Sequence, residues 1–178
     1  MVERLERDGY HNIIIIDNAS QNVDLLQYLH DSRFKVYFLD KNWGHEVFWK
    51  CGLFDDVIQN EYYIVTDPDI LPVDECPDNY VELFYRVLTE FPEKTKAGFS
   101  LKLNDLPESF TYRMDVIRWE SFYFNKILKK NPLLYEADID TTFALYRPGK
   151  ITGNFYSAIR TGFPYEARHL PWYTDISS

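Results

Sequence analysis

The hydrophobic residues of this chain fall into short apolar runs, and several of these runs end in an acidic residue. Asn12–Asp17 contains four consecutive isoleucines, and Phe34–Leu39 and Glu61–Thr66 are two further runs rich in aromatic and β-branched residues. Asp40 and Asp67 follow the latter two runs directly. Continuous apolar runs of this length are typical of strands that are buried on both faces, as in parallel sheets. We therefore predict three buried strands that each end at a carboxylate.

Between these runs the apolar residues recur at helical spacing. The predicted helices are Val2–Asp8, a segment carrying Leu25 to Leu29, His45–Cys51, Asp78–Phe91 and Met114–Leu128. Further strands are predicted at Ala97–Leu103 and as a pair within Leu133–Tyr146, whereas Phe155–Tyr173 is expected to be irregular. Alternating strands and helices predict the α/β class, as a three-layer α/β/α sandwich with a mostly parallel sheet. Because no repeat or linker is visible, one domain over residues 1–178 is expected.

In such a sheet, ligands bind at the carboxyl ends of the strands. The predicted strand ends carry Asp17, Asp40, Asp67 and Asp69. Carboxylates gathered at one edge repel one another unless a cation or open water lies between them. The pattern therefore indicates a ligand site, with a bound cation, at this edge.

The tripeptide Asp67-Pro68-Asp69 is the strongest candidate for that cation site. Proline presets the backbone for a turn that could aim both carboxylates at one ion. Oxygen ligands suit Mg²⁺ or Mn²⁺, and magnesium sites commonly combine one or two carboxylates with substrate phosphates. The alternative is an ordinary polar turn, since a second acidic pair of the same spacing occurs at Asp138-Ile139-Asp140.

Composition narrows the possible partners. A chain of 178 residues with 46% hydrophobic residues can bury a continuous core. The net charge of -9 disfavours nucleic acid as a partner, because phosphate neutralisation needs clustered Lys and Arg. A phosphorylated small molecule remains compatible with this charge if a cation is bound. Cys51 and Cys76 form neither a metal-type pair nor a disulfide framework.

No segment has the character of a targeting or membrane-spanning element. The N-terminal residues lack the apolar core of a signal peptide. No apolar run approaches the about 20 residues that span a bilayer. We therefore expect a cytoplasmic protein without a transmembrane segment, with peripheral attachment to the membrane as a further option.

Three segments together resemble a known family. Ile13-Ile-Ile-Ile-Asp17-Asn-Ala-Ser20, Asn42-Trp-Gly44 and Tyr63-Ile-Val-Thr-Asp67-Pro-Asp69 resemble GT-A-fold glycosyltransferases, particularly bacterial ones similar to family 2. The resemblance implies a Rossmann-like nucleotide-diphospho-sugar transferase fold. It also implies that Asp17 contacts the nucleobase and that Asn42 and Gly44 lie near the nucleotide. By the same resemblance Asp67 and Asp69, the DXD motif, bind Mn²⁺ or Mg²⁺, with Asp67 also contacting the substrate.

The function implied by this resemblance is the transfer of a sugar. The donor would be a nucleotide diphosphate sugar, and the acceptor would be a hydroxyl of a glycan or of a lipid-linked sugar. The product would be a polysaccharide or another glycan, and no nucleic acid is expected as a partner.

The chain departs from the family pattern at its N-terminal side. Family members begin with a nucleotide-binding strand that lies in mid-sheet, next to the strand that ends in the Asp-x-Asp motif, and the sequence shows no counterpart. We therefore expect an N-terminally short domain, whose sheet either has unpaired backbone groups at that position or is completed there by another segment. This departure favours an alternative function, an inactive domain that binds a nucleotide or sugar without transferring it.

The acceptor side offers a candidate general base. An inverting transferase needs one carboxylate to take the proton from the acceptor hydroxyl. The resemblance gives this role to Asp138 or Asp140, and we favour Asp140. Glu120, among aromatic residues, is the reserve candidate. Helix capping or a solvated loop would equally explain the two aspartates.

The segment Arg168-His169-Leu-Pro-Trp172 resembles the C-terminal part of several metal-dependent GT-A enzymes. In those enzymes a histidine completes the metal site or contacts the pyrophosphate, which implies His169 as a metal ligand. Arg168 or Arg160 could pair with phosphate, and Trp172 could offer a face to a sugar. The alternative is that His169 only packs against its neighbours.

A different enzyme class also places Asp-x-Asp after an apolar strand. In phosphohydrolases of the haloacid-dehalogenase type, the first aspartate is a covalent nucleophile, a role that would fall to Asp67. Such enzymes usually continue with a Gly-Thr or Gly-Val type turn, whereas this chain continues with Ile70-Leu71-Pro72. This reaction is therefore the less favoured alternative.

Overall fold

The computed structural model describes residues 1–149 and 157–174. Its helices are α1 (Val2–Arg7), α2 (Val23–His30), α3 (Val47–Lys50), α4 (Asp55–Asn60), α5 (Tyr80–Glu90) and α6 (Arg113–Ser121), with short 3-10 turns at Phe122–Phe124 and Leu170–Trp172. Its strands are β1 (Ile14–Asp17), β2 (Lys35–Phe38), β3 (Tyr63–Val65), β4 (Ile70–Pro72), β5 (Lys96–Leu101), β6 (Ile127–Lys130), β7 (Leu133–Glu136), β8 (Ala144–Tyr146) and β9 (Ala158–His169). No described helix is long and apolar enough to cross a membrane.

The strands form two separate sheets. β1 and β2 pair in parallel as a two-stranded sheet. The other strands form a seven-stranded sheet in the order β3-β8-β5-β9-β7-β6, with β4 also pairing with β9. Hence β3, which precedes Asp67, is an edge strand of the large sheet, and β1, which ends in Asp17, belongs to the small one.

The predicted α/β class is confirmed, but the expectation of a mostly parallel sheet is wrong for the large sheet. There only β5 and β9 run parallel, and every other described pairing is antiparallel. A parallel neighbour requires a crossover of a dozen or more residues, whereas β6 and β7 are joined by two residues only. The sequence pattern located the strands but not the connections that set their direction.

Two segments differ from their predicted secondary structure. The helix predicted over Met114–Leu128 ends at Ser121 and is followed by a 3-10 turn and β6. The tail expected to be irregular contains β9, a long strand that contacts three others. Gly162 and Pro164 were signals of irregular structure, but the pairing of β5 passes from Thr161 to Glu166 and leaves the intervening residues outside the β5–β9 ladder.

The hydrophobic core has two parts. The larger part lies between α5 and the seven-stranded sheet and contains the fully buried rings of Tyr80, Phe84, Phe99 and Phe143. Strands β5 and β8 approach closely beside this part of the core. A Cβ on Gly98 would lie only 2.2 Å from the carbonyl oxygen of Phe143. Such a distance leaves room only for glycine.

The second part of the core connects the two sheets. Trp49 and Phe54, from α3 and from the residue before α4, pack with Tyr63 of β3. Partly buried Ile16 of β1 and Tyr37 of β2 pack against the same group. The small sheet therefore packs against the same helices as the edge of the large sheet, although among the described strands β1 pairs only with β2.

Candidate functional site

Asp67 is fixed at the end of β3 by the neighbouring strand segment. Its backbone N–H donates to the carbonyl oxygen of Thr141 at 3.2 Å, which continues the antiparallel pairing of β3 with β8. The hydroxyl of Thr141 donates to Asp67 Oδ2 at 2.6 Å. Two hydrogen bonds to one residue hold this carboxylate in a defined position where β3 gives way to the Asp67–Asp69 turn.

The environment of Asp67 raises its pKa above the usual range. Burial is the largest cause, and the charges of Asp69 and Asp140 act in the same direction. The hydrogen bond from Thr141 and the charge of His169 oppose the shift. A carboxylate that is desolvated beside two others is stabilised by a proton or a cation. Of the four aspartates predicted to gather at one sheet edge, Asp67 and Asp69 therefore affect each other electrostatically, whereas Asp17 lies on the other sheet.

Asp69 and His169 come together because β4 pairs with β9. Ile70 lies opposite His169 in that pairing, and the imidazole Nε2 is 3.3 Å from Asp69 Oδ2. The backbone N–H of Leu170 donates to the carbonyl oxygen of Asp69 at 2.8 Å. The edge of the Trp172 ring contacts the imidazole at a centroid distance of 4.8 Å. His169 is thus both packed, as the alternative interpretation held, and paired with an Asp-x-Asp carboxylate.

Two polar atoms of this pair have no hydrogen-bond partner within the part of the chain that the structure describes. They are Asp69 Oδ1 and His169 Nδ1, and both are buried. Buried polar atoms are normally satisfied, so these two atoms are candidates for contact with a bound group. Over residues 1–149 and 157–174, however, no group of three or more His, Cys, Asp or Glu side chains is arranged to hold a metal ion.

The two candidate bases differ in exposure. Asp140 is exposed, and its Oδ1 accepts a hydrogen bond from the Thr142 backbone N–H at 3.0 Å. Asp138 is partly buried, and its carbonyl oxygen accepts from Arg160 Nε at 2.6 Å. Asp140 is therefore the more accessible carboxylate, and its charge contributes to the raised pKa of Asp67.

Glu120, the reserve candidate, forms a buried ion pair with Arg160. Arg160 NH1 lies 2.7 Å from Glu120 Oε2, and both side chains are almost fully buried. The guanidinium also lies 4.1 Å from the centre of the Tyr123 ring. Burial raises the pKa of Glu120, whereas Arg160 lowers it. These contacts engage Arg160 with protein groups, and they give Glu120 a structural partner.

Lys96 lies near the candidate bases Asp140 and Asp138, and it was not predicted from the sequence. It is 1% exposed at the start of β5, and its ammonium donates to the carbonyl oxygen of Ile139. Burial lowers the pKa of Lys96 to about 8, whereas Asp140 and Asp138 act in the opposite direction. Lysine is rarely buried without a partner. Its only sequence signal is its place next to an apolar run, and that does not distinguish it from a surface lysine.

Arg168 is committed to a neighbouring carboxylate. Its Nε and NH2 lie 2.9 Å and 2.8 Å from Asp105 Oδ2, and the Tyr173 hydroxyl donates to Asp105 Oδ1 at 2.6 Å. The pKa of Asp105 is lowered; burial alone would raise it, and the hydrogen bonds from Tyr173 and Arg168 outweigh that effect. A phosphate would have to compete with this pair for Arg168.

The predicted nucleotide-binding residues lie at the end of the small sheet. Asp17 is buried, and both of its carboxylate oxygens are 3.3 Å from the Ser20 backbone N–H. Asn42 Oδ1 accepts from the Gly44 backbone N–H at 2.7 Å. The residue that joins them, Asn18, was missed: it donates to Asn42 Oδ1 and to the Gly44 carbonyl oxygen, each at 3.0 Å. Asp40, by contrast, is an exposed residue.

Comparisons with known proteins give no relative from which a function could be carried over. No family model, no curated protein and no solved structure matches this chain. The functional argument therefore depends on the arrangement of the side chains themselves.

Proposed function

We propose that this chain is a metal-dependent glycosyltransferase of the GT-A type. It would move a hexosyl or related group from a nucleotide diphosphate sugar to an acceptor hydroxyl, in the synthesis of a polysaccharide or another glycan. The observation that carries the proposal is the contact of His169 Nε2 with Asp69 Oδ2 at 3.3 Å, next to desolvated Asp67. Residues from two distant parts of the chain thereby supply carboxylate and imidazole groups at one turn.

The side chains at this turn are of the types that bind Mn²⁺ or Mg²⁺. Asp69 and His169 each have an unpartnered buried polar atom, and Asp67 gains from a nearby positive charge. These side chains are not arranged to hold an ion by themselves, so they would hold it together with phosphate oxygens of the nucleotide sugar. When bound, such an ion neutralises charge on the diphosphate leaving group.

Asp140 is the proposed general base. Its exposed carboxylate can reach an acceptor hydroxyl from solvent, while the Thr142 N–H fixes one oxygen. The other oxygen would accept the hydroxyl proton as the acceptor attacks the sugar. Buried Lys96 offsets part of the negative charge around Asp140 and Asp138.

The small sheet would hold the nucleotide in this proposal. Asp17 would contact the base, Asn42 and Gly44 would border the nucleotide, and Trp172 would present its ring to the sugar. Arg168, already paired with Asp105, would bind the diphosphate only if its guanidinium donated to both the carboxylate and a phosphate.

A second candidate is a domain that binds a nucleotide or sugar without transferring it. The separation of β1–β2 from the seven-stranded sheet favours this alternative. This separation leaves the residues proposed to contact the nucleobase on one sheet and the proposed metal ligands on the other. Catalysis needs a fixed relation between the two groups, whereas simple binding tolerates a looser one.

A thermal-shift titration with Mn²⁺ and either UDP or GDP tests the metal site. A ligand at 100 times its Kd stabilises the folded state by about 2.7 kcal/mol. Asp69→Asn is expected to remove the Mn²⁺-dependent part of the shift, whereas the control Asp55→Asn, an exposed acidic residue on α4, should retain it. A full shift in Asp69→Asn, or none with either nucleotide in the unsubstituted chain, would overturn the proposal.

Release of the nucleotide diphosphate from sugar donors separates the two candidates. A transferase is expected to release it slowly even without acceptor, and Asp140→Asn should not abolish Mn²⁺-dependent binding. Metal-dependent binding without turnover, with or without candidate acceptors, would favour the binding domain.

A further inference from the structure

The outer face of α6 and the 3-10 turn after it is unusually apolar. The side chains of Phe122, Trp119 and Met114 are 73%, 69% and 62% exposed. Tyr112, one residue before α6, and Ile127, at the start of β6, are also exposed. Several large exposed apolar side chains in one short segment commonly mark a contact surface. We call these five residues the aromatic face.

Helix α6 distributes its charged and apolar residues in the opposite way to an ordinary surface helix. A surface helix turns its apolar stripe inward and its charges outward. In α6 the one buried residue is the charged Glu120, which pairs with Arg160, while the adjacent Trp119 points outward. The fully buried contact of α6 is therefore an ion pair; Val116 and Ile117 are partly buried, and Met114 and Trp119 are exposed.

The aromatic face is held in place from beneath. Tyr123 contacts the rings of Trp119 and Phe122 at centroid distances of 6.4 Å and 6.1 Å and also carries the guanidinium of Arg160. Phe124 packs edge-on against Tyr135 of β7 at 5.1 Å. These contacts hold the 3-10 turn in place, and the exposed rings of the aromatic face extend from it.

Charge identifies the kind of surface that would cover this face. Residues 112–130 contain five basic residues and two acidic ones, in a chain of net charge -9. Glu120 is neutralised by Arg160, and Asp115 lies 3.4 Å from Arg118. Lys126 and Lys130 are exposed beside the apolar residues. Outside this range, Glu136 pairs with Lys126 and Lys94, and Glu90 pairs with Lys129.

We propose that the aromatic face docks on an anionic lipid surface. Trp and Phe insert favourably at the boundary between headgroups and acyl chains, and adjacent Lys and Arg side chains are attracted to anionic headgroups. A carbohydrate would need aromatic rings but no surplus of positive charge, so the lysines favour the bilayer. The proposal is independent of any transfer reaction.

Vesicle flotation tests the docking directly. The full chain is mixed with vesicles of phosphatidylcholine alone or of an equimolar mixture with phosphatidylglycerol. Binding is expected only to the anionic vesicles and should fall as salt is raised. The double variant Trp119→Ser/Phe122→Ser should lower the partition coefficient roughly tenfold or more, because it removes two large apolar groups. The matched control Val23→Ser/Tyr28→Ser, on exposed positions of α2, should bind as the unsubstituted chain does.

A charge variant separates the two components of binding. Lys126→Gln/Lys130→Gln is expected to weaken binding about fivefold per lysine at low salt. The control Lys35→Gln/Lys41→Gln, near the small sheet, should have no effect. Absent binding to anionic vesicles, equal binding to neutral ones, or equal loss in test and control variants would overturn the proposal. A dimer that dissociates in Trp119→Ser/Phe122→Ser, without vesicle binding, would assign the face to self-association instead.

Discussion

Two strand ends of this protein look alike in sequence and differ in the folded structure. β1 and β3 are both short apolar strands followed by an aspartate motif, Asp17-Asn18 in one case and Asp67-Pro68-Asp69 in the other. Asp17 is satisfied locally, by the N–H of a residue three positions later. Asp67 is bound by Thr141 and surrounded by the charges of Asp69, Asp140 and His169.

The difference shows that a strand-end carboxylate becomes chemically distinctive through the partners that tertiary structure brings to it. Asp17 lies on a two-stranded sheet, where hydrogen bonds of the adjoining loops satisfy its polar groups. Asp67 and Asp69 lie where four segments of the large sheet meet, and burial leaves charges and orphaned atoms there. The two strand ends should therefore respond differently to substitution.

The largest effect is expected at the ion pair beneath the large-sheet site. Arg160→Ala leaves Glu120 buried without its partner, and such a loss costs about 3–5 kcal/mol of unfolding free energy. The matched substitution near the small sheet, Arg33→Ala, removes an exposed pair with Glu6 and should cost at most about 1 kcal/mol. Urea unfolding followed by fluorescence measures both. Equal costs would show that the two regions do not differ in burial as described.

A smaller and local effect is expected at the small sheet. Asn18→Ala removes two hydrogen bonds to the loop after β2 and the one that Asn18 accepts from Trp43 N–H. We expect a loss of about 1–2 kcal/mol. Hydrogen exchange should quicken at Trp43 and Gly44 and remain unchanged at Asp67 and Asp69. Quickened exchange at both ends would mean that the two sheets open as one unit.

The smallest effects should have opposite signs at the two strand ends. Since the folded state raises the pKa of Asp67, it holds this proton more tightly than the unfolded chain does. The contribution of Asp67 to stability is then present at low pH and is lost as the pH rises through the folded-state pKa. Asp67→Asn should therefore stabilise the ligand-free protein at neutral pH, by about 1 kcal/mol or less, and not at acid pH.

Asp17→Asn provides the contrasting measurement. It weakens the acceptor for the Ser20 N–H and should destabilise the protein by about 0.5–1 kcal/mol. Melting temperatures of both variants across a pH series give the comparison. A destabilised Asp67→Asn at neutral pH would contradict the assignment of Asp67 as a desolvated carboxylate.

The sequence was informative about strands and less so about their partners. The isoleucine run, the run before Asp67 and the run from Ala97 each correspond to a strand in the structure. The isoleucine strand is nevertheless only partly buried, with Ile14 43% exposed, so the expectation that β1 is buried on both faces is wrong. The direction of pairing depends on connections between elements, so β6–β7 and β8 could not be assigned as antiparallel from periodicity.

The candidate site shows the same division. The pairing of Asp69 with His169 was anticipated from motif resemblance, and the two side chains do meet. Lys96, Asn18 and Asp105 were not anticipated. Each is a polar residue in an unremarkable local context, and its role arises only from a contact with a distant segment. Local pattern cannot display such contacts.

The position of β9 determines how this site responds to unfolding. β9 pairs with β4, β5 and β7, and it delivers His169 to a turn near the middle of the chain. Detachment of this one strand would dismantle the imidazole–carboxylate contact and unzip three ladders together. The site and the centre of the large sheet therefore form a single cooperative unit, and a ligand that bridges Asp69 and His169 would slow amide exchange along the whole of β9.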